Sequence, residues 1–257
     1  MSEATEEVHY TAADGVAVIT INRPRAKNAV NGAVAQGIAK ALDDLDARPD
    51  LRIGIITGAG GTFCAGMDLK GFLEGDMPTV GDRGFGGFAQ RPPRKPLIAA
   101  VEGYALAGGF EAVLACDLVV AAEDATFGIP EVKRGLVAAG GGLLRLQHRI
   151  PRNIAMEFAL TGDFLPATRA AELGLVNRLT SSGGALEGAH ELAARVAANA
   201  PLAITASKRV IVESDDWSSD EQWQRQEEIT APVFSSQDAM EGAAAFAEKR
   251  QPDWKGA

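Results

Sequence analysis

The chain has 257 residues, 46% of them hydrophobic, so it can bury the core of one α/β domain with a smaller helical appendage, and general disorder is excluded. Its 25 basic against 34 acidic residues leave a net charge of −9, the wrong balance for a nucleic-acid binder, whose phosphate contacts need clustered Lys and Arg. The two cysteines, Cys64 and Cys116, have neither C-x-x-C nor histidine spacing, so no metal site and no disulfide scaffold is expected, and a reducing cytoplasm fits best.

The opening Met-Ser-Glu-Ala-Thr-Glu-Glu is acidic where a signal peptide is basic, and the longest apolar runs are broken by Glu102 or Asp117 well short of a membrane span. A soluble, unexported protein with no membrane partner is expected. Residues 16–22 read as a buried strand, and 31–46 carry Val34, Ile38, Leu42 and Leu45 at helical spacing. The pattern returns with a strand over 53–57 and a short helical start at 66–69, then with a strand over 97–101 and a helix beginning near Gly108. Further strands are expected at 118–121 and 176–179, and the alternation argues for an α/β fold with mainly parallel pairing. Between them, 73–96 is rich in Gly and Pro and reads as a long functional loop. From about 185 onward the helices at 187–199, 202–212, 217–230 and 236–249 suggest a boundary between a core domain, 1–184, and a helical subdomain, 185–257.

Gly58-Ala59-Gly60-Gly61 follows a strand, yet Met67 and Asp68 stand where a P-loop needs Lys and Ser or Thr, and Phe63 stands where a dinucleotide fingerprint needs its third glycine. Glycine at a helix start instead leaves backbone N–H groups uncovered. Two such starts occur, Ala65-Gly66-Met67-Asp68 and Leu106-Ala107-Gly108-Gly109; if their strands are neighbours, the N–H groups of Met67 and Gly108 converge on one oxygen as an oxyanion hole. Each motif alone could also be only a tight strand-to-helix turn. Glu111 and Glu131, twenty positions apart, lie in apolar, glycine-rich sequence, where a buried carboxylate is costly unless paired, neutralised or useful.

Three runs carry a resemblance: Gly61-Thr-Phe-Cys-Ala-Gly-Met-Asp-Leu-Lys70, Pro96-Leu-Ile-Ala-Ala-Val-Glu-Gly-Tyr-Ala-Leu-Ala-Gly-Gly-Phe-Glu111 and Phe127-Gly-Ile-Pro-Glu131. Together they resemble the hydratase branch of the enoyl-CoA hydratase/isomerase (crotonase) superfamily, with some similarity to carnitinyl-CoA dehydratase over 63–76 and at Gly86-Gly87-Phe88. The resemblance implies a crotonase-like spiral of ββα units with a C-terminal helical subdomain, assembled as a homotrimer or a dimer of trimers. It implies reversible hydration of a trans-2-enoyl-CoA, with no cofactor beyond the coenzyme A that enters with the substrate. Catalytic roles fall on Glu111, which activates water, and Glu131, which transfers the proton at Cα, with Met67 and Gly108 as the oxyanion hole. Substrate and CoA contacts fall on Lys27, Ala65, Asp68, Leu69 and Ala139, joined by Arg25 and, near the C-terminus, Phe246 and Lys249. The basic residues could equally form a solvated surface. Many hydratases carry a glycine at the position of Ala139, whose conformational range is narrower.

Phe72, Leu73, Phe85 and Phe88 could line an acyl pocket or pack on the core. With the loop acids Glu74, Asp76 and Asp82 facing water, short uncharged acyl groups are expected; turned inward, those acids would suit a trimethylammonium group. His9, His148 and His190 lie outside the motifs and read as surface or satisfied residues. The remaining alternatives are a carnitinyl-CoA dehydratase, an isomerase, which needs only one of the glutamates, and a non-catalytic acyl-CoA binder.

Overall fold

The computed structural model of the chain describes residues 7–257. The acidic opening segment lies outside the described residues except for Glu7. Strand β1 (Val8–Ala13) turns at Asp14 and Gly15, whose φ values of 51° and 79° suit a tight hairpin, into β2 (Val16–Ile21), which pairs with it antiparallel. The sequence reading lacks β1 because its residues alternate half-buried and exposed and form no apolar run. Helix α1 (Gly32–Ala47) starts where the Asn31 side chain accepts the Val34 N–H at 2.9 Å, and its Val34, Ile38, Leu42 and Leu45 are buried.

Then come β3 (Ile53–Gly58), the short α2 (Leu69–Leu73), a small hairpin of β4 (Thr79–Val80) and β5 (Gly84–Phe85), and β6 (Leu97–Val101). Two strand–strand–helix turns follow. The first is β6, β7 (Tyr104–Leu106) and α3 (Gly108–Ala115); the second is β8 (Leu118–Ala122), β9 (Thr126–Gly128), a 3₁₀ turn over Pro130–Arg134 and α4 (Gly142–Arg149). After α5 (Arg152–Thr161), β10 (Phe164–Pro166), α6 (Ala167–Glu172) and β11 (Arg178–Thr180), the chain ends in α7 (Ala185–Ala197), α8 (Pro201–Glu213), α9 (Gln222–Phe234) and α10 (Gln237–Glu248).

The main sheet has the order β1-β2-β3-β6-β8-β11, parallel except for β1, and a second sheet has the order β10-β9-β7. Each turn of the chain thus adds a strand to the first sheet, a shorter one to the second, and then a helical segment. This is the expected spiral of ββα units. In the preceding turn, between β3 and α2, Cys64 bridges to Ala105 of β7, a single-residue counterpart of the second-sheet strands.

Strands β3, β6 and β8 are buried on both faces, which explains their unbroken apolar runs. One face packs on α1 and α3. The other packs on α7, whose Ala185, Ala189 and Ala193 meet Val16, Ile53, Ile55, Ile98 and Val120. Helix α7 therefore closes the core sandwich, whereas the helix-after-helix sequence from 185 onward groups it with the terminal helices. Those standing off the sheet begin at α8, tied down by Lys208, whose Nζ lies 2.7 Å from Asp117 Oδ2.

The 73–96 loop is fastened rather than loose. Its Arg83 guanidinium, almost fully buried, pairs with Asp43 of α1, and the Asp76 carboxylate accepts the Gly32 N–H at 3.0 Å. Phe88 is in the core and not in a pocket. Among the described residues no helix is long and apolar enough to cross a membrane.

Candidate active site

A cleft of about 680 Å³ opens where the first two ββα turns meet. Its first wall is made by paired helix starts. The second-sheet strand β7 ends at Leu106, and Ala107 then turns sharply with φ 50° and ψ −127°, a conformation costly for a residue with a Cβ. The Ala107 N–H donates to Gly128 O at 2.8 Å, which fixes the turn. Gly66 lies against it: a Cβ built there would sit 2.9 Å from the Ala107 Cβ and 3.4 Å from the Gly108 nitrogen. Only glycine permits this approach, so the two strand-to-helix turns are brought side by side.

Val30 donates to Gly66 O at 2.8 Å and accepts the Asp68 N–H at 2.9 Å, which skips Met67. Among the described residues the N–H groups of Met67 and Gly108 make no hydrogen bond, and both residues line the cleft. The Phe85 ring packs over the Gly108 α-carbon, which leaves no room for a side chain there. Beneath, the buried Cys64 thiol accepts the Gly66 N–H at 3.3 Å, and burial pushes its pKa up to about 12, so it serves as packing and not as a nucleophile.

Glu111 stands one turn into α3, three residues after Gly108, and is only 4% exposed. Its Oε1 accepts the Gly142 N–H at 2.9 Å, and a Cβ on Gly140 would lie 2.8 Å from its Oε2. Burial raises its pKa above the usual carboxylate range, while the Gly142 and Gly140 N–H groups and, more weakly, the Arg145 guanidinium draw it back. Arg145 itself is held by Ala89 O at 2.6 Å.

Glu131 projects from the 3₁₀ turn on the second wall. Its Oε2 is buried without a partner among the described residues. Burial raises its pKa first and the nearby Glu111 second, against lowering by its own backbone N–H and by Arg134. Two carboxyl groups with raised pKa values thus share one cleft, beside two free N–H donors.

Of the residues singled out by the sequence, Lys27, Ala65, Met67, Leu69, Gly108, Glu111, Glu131 and Ala139 line this cleft. Asp68 does not: its carboxylate caps α2 through the Lys70 and Gly71 N–H groups and pairs with Arg23 at 2.9 Å. Arg25 is exposed outside the cleft, and Phe246, 87% exposed, and Lys249 lie at the end of α10 away from it. Of the four apolar loop residues only Phe85 lines the cleft; Phe72 and Leu73 are exposed. No loop acid lines it, since Asp76 caps α1, Asp82 pairs with Arg91 at 3.1 Å and Glu74 is exposed. The sequence reading missed Tyr104, Arg134, Leu136, Val137 and Phe164, which also line the cleft. Arg134 was within reach, because in a 3₁₀ turn positions i and i+3 share a face and it follows Glu131 by three.

The alternating ββα turns, the paired N–H donors and the paired carboxyl groups define an acyl-thioester site of the crotonase kind. The family model for enoyl-CoA hydratase/isomerase matches residues 11–257, and the chain belongs to that family. The solved structure of enoyl-CoA hydratase EchA1 from Mycobacterium marinum is 60% identical with a TM-score of 0.97, covering 98% of this chain and 100% of that one. Enoyl-CoA hydratase EchA19 of Mycobacterium tuberculosis is 42% identical over 245 residues, 93% of this chain and 92% of that protein. The carnitinyl-CoA dehydratase of Proteus mirabilis is 39% identical over 261 residues, 98% of this chain and 99% of that protein.

Proposed function

We propose that the protein hydrates trans-2-enoyl-CoA thioesters reversibly to 3-hydroxyacyl-CoA. The observation that carries this reading is the pair of half- to fully buried carboxyl groups, Glu111 and Glu131, in one cleft beside the free N–H groups of Met67 and Gly108. Water addition builds negative charge on the thioester oxygen, and each preplaced N–H donor lowers that barrier by about 3 kcal/mol. Glu111, with its carboxylate fixed by Gly142, orients a water and takes one of its protons as the oxygen bonds to Cβ. The π electrons move toward the thioester, and Glu131 delivers a proton to Cα, so one molecule of water is added in all. No metal and no further cofactor takes part in these steps; coenzyme A arrives with the substrate.

An isomerase would need only one carboxyl group, so the retention of both favours hydration. The carnitinyl reading has a 39% identical relative in its favour, but the loop acids that would attract a trimethylammonium group are engaged or exposed outside the cleft. The exposed Trp223, Phe234, Met240 and Phe246 of the terminal helices suit burial against other copies, so we also propose a homotrimer or a dimer of trimers acting in the cytoplasm, with Phe246 and Lys249 meeting a neighbour. Loss of enoyl absorbance when the purified protein meets crotonyl-CoA tests the reaction; tight binding without turnover would make the protein an acyl-CoA binder instead. Light scattering tests the assembly, and an active monomer would refute it.

A further inference from the structure

Behind the cleft, Arg145 of α4 is a half-buried cation that makes no ion pair among the described residues; its Nη2 donates to Ala89 O at 2.6 Å. Burial pulls its pKa below the ordinary guanidinium value, and the neighbouring Arg149 pulls it further. Arg149, one helical turn on, has a structural use: it donates to Cys116 O at 2.6 Å and so caps the end of α3. Arg145 caps no helix. A cation taken from water without a counter-charge is costly, so a use for its charge is worth seeking.

Its contacts place Arg145 between the loop over the cleft and the turn that holds Glu111. The Arg145 main-chain N–H donates to Gly141 O at 3.1 Å, and its Nη1 folds back over Gly141 and leaves no room for a Cβ there. Gly141 stands between Gly140 and Gly142, whose N–H groups draw on the Glu111 carboxylate. On the other side the buried Ala89 donates its own N–H to Phe85 O at 3.0 Å, and the Phe85 ring packs over Gly108. One guanidinium thus joins the segment that covers the Gly108 helix start to the turn that fixes Glu111, without lining the cleft itself. Among the described residues Arg145 is the cation whose field acts on Glu111. Glu131 faces Glu111 from the 3₁₀ turn, its own ionisation opposed by Glu111 and helped by Arg134. Lys27 lines the same cleft, and the Cys116 thiol after α3 is kept neutral by burial.

We infer that Arg145 is a positioning residue for hydration: its guanidinium ties the Gly140–Gly142 turn to Ala89 and keeps a positive charge behind the Glu111 carboxylate. This rests on the hydratase reading and adds to Glu111 a partner that never touches the substrate. Glu111 takes a proton from water only as a carboxylate, whereas burial favours its neutral acid. A cation behind it opposes burial, and one outside the cleft leaves the space over the carboxylate open to water. Arginine suits the place better than lysine, because it stays charged when desolvated and its fixed fork meets Ala89 O and the Gly141 turn together.

The test is the pH profile of crotonyl-CoA hydration in Arg145→Met and Arg145→Lys, with Arg149→Gln as the control for loss of the neighbouring arginine. Wild-type kcat/KM should fall on the acid side as Glu111 takes up its proton. Arg145→Met should lower the plateau kcat about tenfold with a smaller change in KM, because the carboxylate is displaced. On the acid limb it should lower kcat/KM by about threefold more than on the plateau, because Glu111 is then protonated at higher pH. Arg145→Lys should restore the acid limb and only part of the plateau, and Arg149→Gln should melt lower yet leave the profile in place. An equal loss at every pH in Arg145→Met, or a wild-type plateau in Arg145→Lys, would overturn the inference, while wild-type hydration left the parent reading standing. If Arg145→Met does not fold, Arg145→Lys decides alone: a lowered plateau with an unmoved acid limb supports the inference, and a wild-type plateau or a displaced limb overturns it. If the wild type does not hydrate crotonyl-CoA, the parent reading falls, and infrared difference spectra decide the charge question separately. The carboxyl band lost in Glu111→Gln must titrate at higher pH in Arg145→Met than in the wild type, and an unshifted titration overturns the inference.

Discussion

The two walls of the cleft are held in opposite ways. On the α3 wall most polar groups are committed, Ala107 to Gly128, Glu111 to Gly142, Gly66 to Val30 and Cys64, while among the described residues the Met67 and Gly108 N–H groups stay free. On the 3₁₀ wall, among the described residues, Glu131 has a buried oxygen with no hydrogen-bond partner, Arg134 makes no ion pair, and Leu136 and Val137 are exposed. The difference follows the substrate. The thioester carbonyl is the same in every acyl-CoA, which fits the proposal that the fixed wall polarises it. The 3₁₀ wall holds the unsatisfied groups.

Replacing either carboxyl group gives the largest effect, because both walls are then tested at the chemistry itself. Glu111→Gln and Glu131→Gln should each lower kcat by at least ~10²-fold with unchanged circular dichroism. Wild-type hydration of crotonyl-CoA by either variant would remove that residue from the mechanism.

A backbone ester in place of the peptide N–H of Gly108 deletes one donor of the fixed wall and nothing else. It should cost about 10²-fold in kcat with a smaller change in KM, since the donor acts most on charge that develops in the transition state. An unaltered kcat would show that the free N–H is only a consequence of the helix start.

Gly140→Ala probes the fixing itself. Gly140 is not held at positive φ, so alanine should fold there, but its Cβ would lie 2.8 Å from Glu111 Oε2 and push the carboxylate aside. About a tenfold loss in kcat is expected for such a displacement. Full activity, with a crystal structure showing Glu111 unmoved, would mean that the turn does not position it.

The smallest effect concerns stability on the loosely held wall. Burial raises the Glu131 pKa in the folded protein above its unfolded value. Its contribution to stability is therefore fully present below the ordinary carboxylate pKa and is lost as pH rises through the raised folded value. Glu131→Gln should melt a few degrees above the parent at neutral pH, with the gain shrinking as pH falls toward the carboxylate range. A constant difference at all pH values would show that the charge of Glu131 carries no such cost.

The strands β3, β6 and β8 were legible because burial on both faces writes apolar runs, and β2 because of its β-branched, largely buried residues. Helix α1 was legible from its spacing, and both glutamates stood out as carboxylates in apolar sequence. The second sheet was not legible, since β7, β9 and β10 have three residues each, too few to show a period. Helices α4 to α6 passed unread, and α7 read as part of the helical end because its alanines declare a small face without saying what covers it.

By itself the sequence determined the alternation of strands and helices, the two glycine turns and the two acids, all properties of a local window of chain. Only the tertiary structure decided that Gly66 lies against Ala107, that Asp68 and Asp76 are consumed as helix caps, and that Arg134 reaches the cleft without a partner. The reason is physical: a side chain's charge is written in the sequence, but whether another group neutralises it depends on contacts between residues far apart in the chain.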